Sequence, residues 1–113
     1  MAMIKTFTIA RRLPHLTQDE YLRYLKEKHG PLAAKVIPGV RKYVQNHPIK
    51  VPGVAFDIDS ISQMWWDDLT SLENYYKWRQ TEEAKVLLAD ELKFSDPNNK
   101  LRFVGVEHVI LER

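Results

Sequence analysis

Pro38–Trp66 reads PGVRKYVQNHPIKVPGVAFDIDSISQMWW, and its two ends decide the fold. At Val40–His47, Val40, Lys42 and Val44 oppose Arg41, Tyr43, Gln45 and His47. At Ser60–Trp66, Ile61, Gln63 and Trp65 oppose Ser62, Met64 and Trp66. A period of two puts alternate residues on opposite faces, so both ends are expected to be strands, and Pro38-Gly39 turns the chain into the first. Between them Pro48–Asp59 holds two prolines, a glycine and apolar residues with neither a helical nor a strand period. It reads as a long loop, more apolar than loops usually are, serving as a lid or as an arm on a partner subunit.

Working outward, Met3–Arg11 alternates, with Phe7 and Ile9 on one face and Thr6 and Thr8 on the other, which predicts a first strand ended by Leu13-Pro14-His15. Thr17-Gln18-Asp19-Glu20 is a capping box and opens a helix whose Leu22, Leu25, His29, Leu32 and Val36 form one stripe. Gly30-Pro31 is expected to break or kink it, since a residue before proline disfavours the α region. Beyond Trp66, Thr70-Ser71-Leu72-Glu73 repeats the capping box and predicts a helix to about Trp78. Thr81 caps a further helix with Ala84, Leu87, Leu88 and Leu92 on a shared face. Pro97-Asn98-Asn99 is turn chemistry, and Arg102–Glu112 reads as the last strand.

The order β-α-β-β-α-β is the ferredoxin-like split unit, an α+β fold with helices on one face of a four-stranded antiparallel sheet. No element is left to cover the other face. Two sheets stacked in a homodimer of about 27 kDa, twice 13.3 kDa, are the simplest cover.

At 113 residues the chain is expected to be a single domain, 1–113. Seventeen basic and fifteen acidic residues are interleaved without a basic block, which argues against nucleic acid. The absence of cysteine excludes disulfides, thiolate metal sites and thiol catalysis, and fits a reducing cytoplasm. No signal-like segment and no apolar run of roughly 18 residues is found, so a soluble protein is expected. A domain this small buries about two-thirds of its unfolded surface, and a pocket of ~300 Å³ would take a large share of its core.

His29 stands out because it interrupts an apolar stripe, and a general acid-base needs a group that titrates near neutrality held away from bulk water. A core histidine bonded to backbone is the plainer reading. With the helix ending at Gly30-Pro31, His29 should share one end of the subunit with Trp65-Trp66 and His108. His47 should close the second strand on the order of 20 Å away. No metal is expected, since neither His-x-His nor HExxH occurs. Tyr43, Gln45, Gln63 and Trp65 line either a pocket for a flat ring or the interface between two sheets. Met64 and Trp66 read as core, Tyr75-Tyr76 with Trp78 as helix packing, and Arg11-Arg12 as a solvated pair.

Arg11-Arg12, HGPLA at His29–Ala33, PGVRKYVQNH at Pro38–His47 and the closing Glu107-His108-Val109-Ile110 together resemble the EthD-like family over nearly the whole chain. The resemblance implies a dimeric α+β barrel. It also implies kinship with cofactor-independent enzymes on cyclic substrates: muconolactone isomerases, polyketide cyclases, monooxygenases and fungal dehydratases or decarboxylases. His29 corresponds to the histidine proposed as catalytic in the methylmuconolactone methylisomerase branch, and Tyr43 to its strand tyrosine. That branch's cysteine falls at Met64, which has no proton to give or take. The expectation is a cofactor-free lyase or isomerase acting on a small cyclic compound. Catalysis falls to His29, with Tyr43 or His108 orienting the reacting oxygen, and substrate contacts to Gln45, His47, Phe56, Gln63, Met64 and Trp65. The alternative is a dimeric binding module for a small hydrophobic compound.

Overall fold

The computed structural model describes residues 3–113. Four strands, β1 (Ile4–Arg12), β2 (Val40–Asn46), β3 (Ser60–Trp66) and β4 (Ser95–Val106), form one antiparallel sheet in the order β2-β3-β1-β4. Helices α1 (Gln18–Tyr24), α2 (Gly30–Val36), α3 (Leu69–Trp78) and α4 (Lys85–Glu91) cover one face, which gives the ferredoxin-like α+β arrangement. Among the described residues no helix is long and apolar enough to cross a membrane.

The break expected at Gly30-Pro31 does not occur. A single π-helical turn, Leu25–His29, joins α1 to α2, and Gly30 keeps helical angles (φ −55, ψ −52) while its N–H reaches the Leu25 carbonyl five residues back. The widened turn accommodates the proline ring, which in a regular helix clashes with the preceding turn. It also solves a phase problem. The buried side chains are those of Tyr21, Leu25, His29, Ala33 and Ile37, a strict repeat of four, with Gly30 buried beside His29. Four residues advance an α-helix by about 400°, so such a stripe drifts by ~40° per step unless a wider turn takes up the difference.

The Thr17–Glu20 capping box forms as read. The third helix is capped instead by Asp68, whose carboxylate accepts from the Ser71 N–H at 2.8 Å, two residues earlier than Thr70 suggested. In α4 the inward face is Leu87 and Asp90, continued from Ala84 just before it, whereas Leu92 is 59% exposed. The last strand begins at Ser95 and ends at Val106, seven residues earlier at its start than the valine-rich run indicated (102 against 95). Pro97-Asn98-Asn99 does turn, but inside β4: the ladder passes from Arg12↔Ser95 to Ala10↔Lys100, and Asp96 caps the protrusion by accepting from Asn98 N and Asn99 Nδ2.

Register assigns the two sheet faces. Thr6↔Met64↔Tyr43 and Thr8↔Ser62↔Gln45 lie in rows beneath the helices, while Lys5↔Trp65↔Lys42 and Phe7↔Gln63↔Val44 lie on the open face. Two apolar clusters sit under the helices. Ala33, Ile37, Trp66, Leu72 and Leu87 form one; Tyr21, Leu25 and Phe94 form the other.

Candidate functional site

A cavity of about 160 Å³ opens between these two clusters, lined by residues of both. Its floor is the inner sheet face, where Thr6, Thr8, Ser60, Ser62 and Tyr43 present hydroxyls. Small hydroxyl residues leave room that the helices do not fill, while the large apolar residues of the same face, Met64 and Trp66, lie toward one end of β3. Strand periodicity thus brings a cluster of hydroxyls to the cavity floor.

His29 is 8% exposed and lines this cavity from the π-turn. Its Nδ1 lies 2.9 Å from Asp90 Oδ2, and Tyr24 donates its hydroxyl to Asp90 Oδ1. Burial pushes the Asp90 carboxyl up, but the hydrogen bonds from Tyr24 and His29 outweigh it and the net shift is downward. Asp90 is therefore ionised at neutral pH and accepts from Nδ1–H, so in the neutral ring the lone pair sits on Nε2. Phe94 packs against the imidazole at 4.8 Å between centroids and fixes its plane.

Tyr43 faces the same cavity from β2. Gln45 Nε2 donates to the Tyr43 hydroxyl at 3.0 Å and to the Leu25 carbonyl at 2.8 Å. That carbonyl can only accept, so it fixes which end of the Gln45 amide points inward. Gln45 Oε1 then accepts from His47 Nε2 at 2.9 Å. With its oxygen already receiving a proton from Gln45, Tyr43 has its own proton to offer a ligand. Burial raises its pKa, against hydrogen bonds from Gln45 and Ser62, which keeps it a donor at neutral pH. Tyr21, bonded to Ser60 at 2.7 Å, is pushed up to about 12 by burial.

The other residues singled out in the sequence scatter. Met64 lines the cavity. Gln45 and His47 do not line the cavity and are linked in turn to Tyr43. His47 is tied to the first helix, since Gln45 bonds both His47 and the Leu25 carbonyl, and His29 sits at the middle of the helix that runs on to Val36 rather than at its end. Gln63 and Trp65 lie on the open face, where the ammonium groups of Lys5 and Lys42 approach the Trp65 ring at 4.5 and 4.7 Å. Phe56 is 43% exposed in the 48–59 loop, which does not fold over the cavity. His108 is exposed beyond the end of β4 rather than within it. Arg12 is not merely solvated: it ion-pairs with buried Asp59 at 2.8 Å.

Sequence reading missed Asp90, Tyr24 and Tyr75, and the Arg79–Glu91 pair, which is bonded twice at 3.0 and 3.1 Å. Asp90 had a signal: it lies three residues after Leu87, on the apolar face of its helix. Among the described residues no group of three or more His, Cys, Asp or Glu side chains is placed to hold a metal ion.

The model for the EthD domain matches residues 13–98. The chain belongs to the EthD family. No curated protein matches the chain in sequence. Among solved structures, it is similar to an ethyl tert-butyl ether D (EthD) family protein from Bacillus halodurans C-125 at 24% identity, covering 94% of this chain and 99% of that one with a TM-score of 0.71. It resembles a dimeric ferredoxin-like protein of unknown function from Thermobifida fusca YX at 14% identity, covering 95% and 93%, with a TM-score of 0.62. Hydroxynitrile lyase from Passiflora edulis is 10% identical, covers 98% of each chain and has a TM-score of 0.68. At these identities the likeness is one of fold.

Proposed function

We propose that this EthD protein is a cofactor-independent lyase or isomerase that moves a proton on a small cyclic compound, with His29 as the acid-base. The observation that carries the reading is the buried His29–Asp90 pair on the wall of a half-enclosed cavity. Asp90 holds the tautomer, Nε2 takes a proton from carbon or hydroxyl next to a carbonyl, and Tyr43 donates a hydrogen bond to the oxygen where charge develops. His29 returns the proton when the bond rearrangement is complete. The cavity suits one ring, since an apolar cavity of ~150 Å³ holds benzene. The lyase with the same fold supports the reaction class.

The protein acts as a homodimer in this reading. Phe103, Leu101 and Val106 on β4 are 59%, 68% and 46% exposed, and Ile110 and Leu111 beyond it are 92% and 66% exposed, more apolar surface than a monomer usually shows. The dimeric neighbour has the same architecture. With no cysteine in the chain, we place it in the cytoplasm.

The test is to identify the compound that copurifies by native mass spectrometry and assay it with His29→Gln. Turnover should fall by roughly 10²–10⁴-fold in a folded protein. An unchanged rate would assign the cavity to binding alone.

A further inference from the structure

At the mouth of the cavity the wall carries charge that the proton-transfer chemistry does not use. Arg79, Glu91, Lys100 and Arg102 line both the cavity and an adjoining, more open depression of about 320 Å³. Glu91 is taken up by Arg79: both carboxylate oxygens receive guanidinium bonds, and the two side chains are 18% and 17% exposed. Arg79 also donates to the Tyr75 hydroxyl at 3.0 Å, which anchors the pair to the cavity wall. Burial works against the Glu91 carboxylate, yet its bonds to Arg79 hold its pKa below the usual range, so it remains a fixed counter-ion and not a free base.

Lys100 and Arg102 have no such partner. Among the described residues neither makes an ion pair, although both lie on the inner face of β4, opposite Ala10 and Thr8. Burial lowers the Lys100 pKa, with Glu91 acting against it and Arg102 and Arg79 adding to it. The other carboxylate whose charge reaches Lys100, Asp96, is occupied by Asn98 and Asn99 on the protrusion of β4. Three cations, Arg79, the half-buried Lys100 and the more exposed Arg102, thus share one carboxylate within the lining, Glu91, and it is already engaged.

We propose that Lys100 and Arg102 form a carboxylate-binding subsite, so that the ligand of this cavity is a small ring acid whose anionic end sits at the mouth and whose reacting end faces His29 and Tyr43. The inference rests on the cavity being the substrate site, and it adds the substrate's charge. A planar guanidinium with an ammonium beside it matches a carboxylate, and both groups gain a charge-assisted hydrogen bond they otherwise lack. The arrangement also orients the ring: with the acid held outside, only one edge can point inward to the acid-base pair.

The experiment compares benzoate with benzamide, the same ring with and without the charge, by NMR titration of the intact protein at neutral pH and fixed ionic strength. Benzoate should bind at least tenfold more tightly, with the largest shifts at His29, Phe94 and Tyr43. Lys100→Met combined with Arg102→Met should weaken benzoate by roughly 10–100-fold and benzamide by less than threefold. Equal binding of the two by the unaltered protein overturns the subsite and leaves the cavity as a neutral-ligand site. Binding of neither, or benzoate shifts confined to the surface away from His29, overturns it as well. The acid-base reading is scored separately. A His29→Gln protein that prefers benzoate yet turns over its copurified compound normally retains the subsite and loses the catalytic assignment.

Discussion

Replacing Gly30 with alanine sets two effects of opposite sign against each other. Gly30 has ordinary helical angles, so intrinsic propensity alone favours alanine by ~0.8–1 kcal/mol. The surroundings do not. A β-carbon there would lie 2.7 Å from Gln45 Nε2 and 2.9 Å from the Leu25 carbonyl oxygen, and a backbone oxygen cannot move aside cheaply. Gln45 must swing away and lose its bonds to Leu25 and Tyr43, at about 0.5–1.5 kcal/mol each. Residual overpacking costs a further ~1–3 kcal/mol. The net is a destabilisation of about 1–5 kcal/mol, read as a fall in Tm of roughly 4 °C or more. Urea unfolding at neutral pH gives the free energy directly. In a Gln45→Ala background the same substitution should cost less, because the softer of the two clashes is gone. A Gly30→Ala protein stabilised by ~1 kcal/mol would refute the reasoning and reduce this close approach to ordinary helix packing.

Asp90→Asn should leave the fold intact and reduce turnover by roughly 10²-fold or more, since an amide no longer compels Nδ1 to carry the proton; unchanged kcat with a changed KM would count against the positioning role. Asp90 and Glu91 both have depressed pKa values in the folded state, so their contribution is present above the unfolded carboxyl range of about 4 and is lost as pH falls through their folded values. The urea midpoint should drop between pH 6 and pH 3; a midpoint independent of pH there would show that neither pair stabilises the fold. Phe103→Asp places a charge on the open sheet face and should shift a dimer to a monomer in sedimentation velocity, whereas an unaltered dimer would place the interface elsewhere.

The order of elements was legible because it rests on local signals: alternation at Ser60–Trp66 matches β3 residue for residue, and the Thr17–Glu20 box caps α1. The start of β4 was not, because Pro97-Asn98-Asn99 makes a real turn that the sheet tolerates as a protrusion, and no local pattern separates that from a turn outside the ladder. At the site, His29 and Tyr43 could be singled out by type and position. Asp90 could not be joined to His29, since 61 residues separate them and only the packing of α4 on the π-turn brings them together. Treating Gly30-Pro31 as a helix end also displaced His29 from the middle of the helix to its end. The local rule about residues before proline was sound on average, and the π-turn overrode it.

That turn ties the site to chain length. Deleting one residue from Lys26–Lys28 would let Gln18–Val36 close into an ordinary α-helix, with a better hydrogen-bond ladder and no widened turn. Seven residues would then separate Leu25 from Ala33, about 700°, so the two halves would stay in phase to within ~20° and both could keep their faces on the sheet. What would change is the turn itself: the Pro31 ring would meet the carbonyl four residues before it, and the widened turn that now presents the Leu25 carbonyl to Gln45 would be gone. One added residue in this helix therefore leaves the packing of both halves as it was and acts only where His29, Gly30 and Gln45 meet.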